Sequence, residues 1–224
     1  MQAAPRYNRW QYRRIAPHLG RRVCEVGSGI GNMSTLLLDS APELLLLTDI
    51  DPYYCEALRQ RFQAHPSVVV EQLTLPDKTA GDRFRKFDLD TVVALNVVEH
   101  IRDDLEALRS IAAMLPPHGR AVILVPALPA IFGSLDQALG HQRRYTRESL
   151  RSHMQKAGFR IEQLFYFNLV GTFGWWLNAR IRKVERIPVE QLRCFDKLVP
   201  ILRSEDFMAL PFGQSLIAVG VVGE

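Results

Sequence analysis

Arg22-Val23-Cys24-Glu25-Val26-Gly27-Ser28-Gly29-Ile30-Gly31-Asn32-Met33-Ser34 decides the fold of this chain. Val23 to Val26 reads as a buried strand, the alternate glycines as a tight turn, and Asn32 to Leu38 as the start of a helix. Glycines in such a turn let backbone approach a ligand closely, and the N–H groups opening the following helix favour a carboxylate, a phosphate or another polar edge. The next run, Leu44-Leu45-Leu46-Leu47-Thr48, is continuous and apolar, as befits a parallel strand covered on both faces. Asp49 ends it, about twenty residues past the glycines, where a nucleoside-binding βαβ unit places the carboxylate that holds a ribose. These residues imply a doubly wound α/β sheet and an adenosine-type ligand.

The spacing of the glycines distinguishes among such ligands. Dinucleotide sites use G-x-G-x-x-G, which would put the third glycine at position 32; Asn32 stands there, and Gly31 comes one residue early. That weighs against an NAD(P)-dependent oxidoreductase. With Glu25 two residues before Gly27, Glu-x-Gly-x-Gly-x-Gly resembles motif I of the class I S-adenosylmethionine-dependent methyltransferases. Two later stretches resemble the family's following motifs in the same order. The first runs from Phe87 through a strand ending at Asn96 into Val97-Val98-Glu99-His100-Ile101, with Asp103 or Asp104 opening a helix to Leu115. The second is Met114-Leu115-Pro116-Pro117-His118-Gly119-Arg120 leading into a strand that ends at Pro126.

The resemblance implies a Rossmann-like, seven-stranded, mostly parallel sheet with a C-terminal antiparallel hairpin, binding S-adenosyl-L-methionine and releasing S-adenosyl-L-homocysteine. It implies that Glu25, Gly27, Ser28, Gly29 and Gly31 cradle the methionine part and that Asp49 and Ile50 flank the ribose. Gln72 and Leu73 would meet the adenine, and Asn96 and Val97 the methionine end. Gln72 stands where the family often has an acidic residue; its amide oxygen can still accept a hydrogen bond. Asp51, followed by Pro52, is explained as a helix cap.

Composition fits one α/β domain over 1–224, with 47% hydrophobic and 23% charged residues. A net charge of +4, with arginine scattered and no long like-charge run, implies no nucleic-acid partner. Cys24, Cys55 and Cys194 are too few and too dispersed for a disulfide framework or a zinc site, so no metal is expected and a reducing cytoplasm is. The first residues lack the apolar core of a signal peptide. Residues 1–20 read as an N-terminal cap helix, with Tyr7, Trp10 and Arg14 on one face, laid over the cofactor mouth or covering the sheet edge.

After Pro126 the loop carries Asp136, Gly140-His141-Gln142-Arg143-Arg144-Tyr145 and a helix start at Thr146. Histidine titrates near neutrality and suits deprotonation of an acceptor, so His141 and His100, with Tyr145 and Arg144, are the candidate catalytic residues. The Gly-His-Gln-Arg-Arg-Tyr loop and Phe212-Gly213-Gln214-Ser215 resemble a bacterial subset of the methyltransferase type 11/12 group found beside glycosyltransferases and secondary-metabolite enzymes. The implied acceptor is a small molecule, a glycan or a lipid-linked compound. Residues 168–213, between strands at Phe159–Phe167 and Ser215–Val222, read as a helical lid or insertion. Its Trp175-Trp176 and basic residues could touch a membrane surface through 173–186. A non-catalytic binding protein that keeps the fold is the remaining alternative.

Overall fold

The computed structural model describes residues 4–223. The first three positions of the predicted cap segment and the last residue of the chain lie outside the described residues. The strands are β1 (Arg22–Val26), β2 (Leu44–Asp49), β3 (Val68–Gln72), β4 (Thr91–Leu95), β5 (Arg120–Pro126), β6 (Phe159–Phe167) and β7 (Ser215–Val222). The helices are α1 (Pro5–Ile15), α2 (Asn32–Leu38), α3 (Pro52–Phe62), α4 (Ala80–Phe84), α5 (Asp104–Ala113), α6 (Ser134–Ala138), α7 (Arg147–Lys156), α8 (Leu169–Trp176) and α9 (Val189–Leu202). Several shorter turns of helix connect them.

The strands form one sheet in the order β3-β2-β1-β4-β5-β7-β6. The first five are parallel, and β7 runs antiparallel between β5 and β6. Successive side chains leave a strand on opposite faces, and each face here has its own core. Cys24, Leu46, Val92 and Ile123 pack on one side; Val23, Leu45, Val93 and Val122 pack on the other. This is why the central strands read as unbroken apolar runs instead of alternating ones.

Helix starts follow local chemistry. The Asp51 carboxylate accepts from Tyr53 N–H at 2.9 Å with Pro52 in the first turn of α3, and Asp103 caps α5 through Glu106 N–H at 3.1 Å. Thr146 and Ser149 exchange side-chain bonds at the start of α7.

The aromatic face of α1 does not cover the cofactor mouth. Trp10 is buried against Phe167, ring centroids 4.5 Å apart, and its Nε1 donates to Asp206 at 2.9 Å. Tyr7 packs between Phe167 and Phe195. Burying large rings against β6 and α9 gains more apolar contact than an open cleft provides. A helical insertion, α8 to α9 with its short flanking turns, separates β6 from β7. No helix among the described residues is long and apolar enough to cross a membrane.

Candidate active site

Strand order reverses between β1 and β4, so the connections at their carboxyl ends diverge and leave a crevice. A cleft of about 350 Å³ opens there, with Glu25, Gly27, Ser28, Gly29 and Asn96 among its walls. The three glycines of the turn have different duties. Gly29, at φ +52°, has nothing within 4 Å of where a side chain would stand, so its backbone is open to a ligand. Gly27 makes room for Val97, whose Cγ2 would lie 2.6 Å from an added Cβ. Gly31 makes room for Phe62 of α3, at 2.8 Å. Gly31 and Val97, both expected at the cofactor, therefore shape the turn from behind.

The turn is held by its neighbours. Gly27 and Ser28 N–H donate to Thr48 O at 2.8 and 2.9 Å. Gly29 N–H donates to Asp49 Oδ2 at 2.8 Å, and Asp51 N–H to Asp49 Oδ1 at 3.0 Å. A carboxylate offers about four acceptor positions, so Asp49 retains capacity for hydroxyl donors. Glu25 is buried, receives the Ser34 hydroxyl, and is pushed up to about 7 by burial, the Ser34 and Ser28 hydrogen bonds opposing the rise. Ile50 is exposed, and Gln72 Nε2 donates to its carbonyl at 2.9 Å. The Leu73 side chain is in the core, with only its N–H directed to Asp49 O, at 3.0 Å; a leucine at this depth gives the ligand no apolar wall.

Asn8 and Gln11 of α1, Asn32 and Met33 of α2, and Tyr54 of α3 also line the cleft. The sequence reading missed them. Their one signal is that Asn8 and Gln11 are neutral, three residues apart and beside the Tyr7 edge of the aromatic face, on a helix otherwise rich in arginine.

At the carboxyl end of β4 the chain turns tightly through Val98–His100, and the loop after β5 returns beside it: Gln142 N–H donates to Glu99 O at 2.8 Å. Asp136, fully buried in the first turn of α6, organises this region. Its Oδ1 accepts from His141 Nδ1 at 2.9 Å and Arg144 Nε at 2.8 Å; its Oδ2 accepts from Trp175 Nε1 at 3.1 Å and Gly133 N–H at 3.0 Å. Burial pushes this carboxyl up, but the bonds from His141 and Trp175 and the Arg144 charge outweigh it and hold the group below its ordinary range. With Nδ1 committed to Asp136, Nε2 is the His141 ring nitrogen left for another group.

That nitrogen faces Glu99 Oε1 at 3.9 Å, and the His100 ring stands edge-on to His141 with centroids 4.9 Å apart. Glu99 is fully buried, and neither of its carboxylate oxygens makes a hydrogen bond. Burial pushes it up to about 8.

Two expected catalytic residues take supporting places. Arg144 is 5% exposed, bound to Asp136 and to Ala127 O at 2.6 Å, with its guanidinium 4.8 Å from the Trp175 ring. Tyr145 is 1% exposed and donates to Asp104 at 2.7 Å, with its pKa pushed far upward by burial. An aromatic ring and a paired guanidinium in a closed core hold the loop and cannot reach an acceptor. His100 and His141 do meet.

The cleft suits the cofactor implied by motif I: open backbone at Gly29, spare acceptor capacity on Asp49, and a carboxylate at Glu25. A family model described as a methyltransferase domain matches residues 3–164. The tRNA U34 carboxymethyltransferase of Syntrophotalea carbinolica is 29% identical over 193 residues, 84% of this chain and 51% of that protein. The methyltransferase calH of Penicillium decumbens is 26% identical over 106 residues, 44% of this chain and 29% of that protein. The chain spans about half the length, or less, of the curated relatives it matches.

Among solved structures, an S-adenosylmethionine-dependent methyltransferase from Mesorhizobium loti superposes with TM-score 0.61 at 14% identity, covering 95% of this chain and 97% of that one. CalH in complex with S-adenosylhomocysteine gives 0.60 at 16%, covering 91% and 52%. Sheet order, glycine turn and family model agree, and the chain belongs to the class I S-adenosylmethionine-dependent methyltransferases.

Proposed function

We propose that this chain, as a single domain over 1–224, transfers a methyl group from S-adenosyl-L-methionine to a small-molecule, glycan or lipid-linked acceptor in a biosynthetic pathway of the cytoplasm. The observation that carries the reading is that one connection serves both groups of residues. Asn96 lines the cleft with Gly29, and His100, four residues further along the same chain segment, meets His141. Bound in the cleft, the cofactor supplies an electrophilic methyl on a sulfonium. Displacement at that carbon is in-line, so the protein's work is to align the nucleophile and assist loss of its proton. Glu25, Gly27, Ser28, Gly29 and Asn96 hold the methionine part, and Asp49 holds the ribose hydroxyls. Ile50 and Gln72 border the adenine. His141, oriented by Asp136, handles the acceptor's nucleophile.

Trp175 from the insertion bonds Asp136 and lies parallel to the His141 ring, 6.4 Å between centroids, which supports a lid role for residues 168–213. Phe173, Trp176 and Ile181 are exposed beside Arg180, Arg182, Lys183 and Arg186. That pairing of apolar and basic groups suits a lipid-linked acceptor or a membrane surface.

The relative named for tRNA U34 favours a second reading, in which the acceptor is RNA. The evenly scattered charge of this chain weighs against it. The test is turnover with labelled methyl donor against hydroxylated small molecules, lipid-linked glycans and tRNA. Methylation of tRNA alone would overturn the acceptor class. His141→Ala is expected to lose turnover at least 100-fold while binding S-adenosylhomocysteine normally; unchanged turnover would remove His141 from the site.

A further inference from the structure

The cluster of His141, His100 and Glu99 has the makings of a cation site, contrary to the expectation drawn from the cysteines. One ligand atom from each of the three residues lies within 4.8 Å of the others. His141 is prepared as metal-binding histidines are: a carboxylate holds one ring nitrogen, fixing the tautomer and aiming the other. Glu99 is a fully buried carboxyl group neither of whose oxygens makes a hydrogen bond, a costly arrangement for a polar group unless a ligand meets it. Arg144 does not reach Glu99 through a hydrogen bond; it donates to Asp136 and to the Ala127 carbonyl. Arg144 acts on Glu99 through its charge alone, and no donor bonds either Glu99 oxygen.

We propose that Glu99, His100 and His141 bind one divalent first-row transition-metal cation beside the carboxyl end of β4. Its role in turnover rests on the methyltransferase reading above. Two imidazoles and one carboxylate select zinc, cobalt, iron or manganese over magnesium and calcium, and three protein ligands leave a position open for an acceptor oxygen. Ligand bonds of about 2.0–2.2 Å put neighbouring ligand atoms roughly 3.4 Å apart in a tetrahedral site. The 3.9 Å between Glu99 and His141 therefore closes by a small adjustment. The exposed His100 side chain, on a short turn, supplies the rest.

A hydroxyl bound to the cation loses its proton to water more readily, as cation-bound water does. The oxygen then forms the new bond to the methyl carbon while the carbon–sulfur bond breaks, its electron pair goes to sulfur, and neutral S-adenosylhomocysteine leaves. Within this arrangement His141 acts as a ligand, and the cation assists the deprotonation.

The test uses chelator-stripped protein titrated with Co2+, followed by visible absorption, and with Zn2+ by calorimetry, each beside an S-adenosylhomocysteine titration. The expected result is one equivalent bound, with Co2+ bands of low coordination number. Affinity should fall at least 100-fold in His100→Ala and in His141→Ala, and stay unchanged in His153→Ala and Cys194→Ser. Failure to bind either cation, or equal binding in His100→Ala and His141→Ala, overturns the site. Retained S-adenosylhomocysteine binding in the same samples shows that the fold and the methyltransferase reading stand independently. Cation binding without S-adenosylhomocysteine binding keeps the site and overturns that reading.

Discussion

Replacing Asp49 by alanine should weaken S-adenosylhomocysteine binding by about two orders of magnitude. In the free protein the carboxylate receives Gly29 N–H at 2.8 Å and Asp51 N–H at 3.0 Å, and it is 7% exposed. In the proposed complex it would also receive the ribose hydroxyls. Hydrogen bonds to a charged group contribute about 1.5–3 kcal/mol each. Losing two such ligand bonds at the lower figure gives about 3 kcal/mol, or roughly 100-fold in Kd. The same substitution releases Gly29, the one residue of the turn with open space over its backbone, which adds to the loss. Asp49→Asn keeps the volume and one acceptor oxygen, so its loss should be nearer tenfold. Calorimetric titration with S-adenosylhomocysteine, with NADH in parallel, is the measurement. Affinity within twofold of wild type in Asp49→Ala, with the protein folded by circular dichroism, would refute the assignment of the ribose to β2. Saturable NADH binding would redirect the whole reading to dinucleotide chemistry.

The other expectations separate support from contact. Tyr145→Phe removes one buried hydrogen bond to Asp104, which keeps Arg143 as a partner. It should cost about 1–2 kcal/mol of stability by thermal denaturation and leave turnover within threefold; a 100-fold loss of turnover with normal stability would return Tyr145 to the acceptor. Gly31→Ala places a methyl against Phe62 at a left-handed φ of +82°, and should destabilise the chain by about 2–4 kcal/mol. Gly29→Ala meets no protein atom and should cost stability less than ligand affinity; equal effects of the two on denaturation and titration would defeat this division. Burial raises Glu25 to about 7, so between the ordinary carboxylate pKa and 7 the folded chain holds a proton that the unfolded chain has lost. Stability should therefore fall as pH rises through that window, by about 1.4 kcal/mol per unit. Denaturation midpoints from pH 5 to 8 should show this slope reduced in Glu25→Gln, and an unchanged slope would contradict it.

The cofactor half was legible because its signals are local. Gly27-Ser28-Gly29-Ile30-Gly31, with apolar runs before and after, specifies a strand, a turn and a helix within one connection. Asp49 follows at a spacing that the βαβ unit fixes by its own length. The division of labour among the glycines was not legible. Whether a glycine exists for a ligand or for a packed ring depends on what lies above it, and Phe62 reaches Gly31 only once α3 has docked. Whether the face of Tyr7 and Trp10 lies over the mouth or covers the sheet edge was open in the sequence for the same lack. Periodicity shows which residues share a helix face but not which surface that face meets.

The sequence by itself determined the parallel sheet, the position of its crevice and the class of cofactor, because continuous strand hydrophobicity and turn chemistry are properties of neighbouring residues. Only the tertiary structure decided what the loops after β4 and β5 bring together. Glu99 and His100 lie some forty residues from His141, and nothing in either segment points to the other. Their meeting depends on adjacent strands β4 and β5 delivering two loops to one edge of the sheet. The buried Asp136, reached by His141 and Arg144 from one loop and by Trp175 from α8, then fixes which atom of His141 faces Glu99. A carboxylate saturated by four donors and another left with none can be told apart only when the donors have been brought to them.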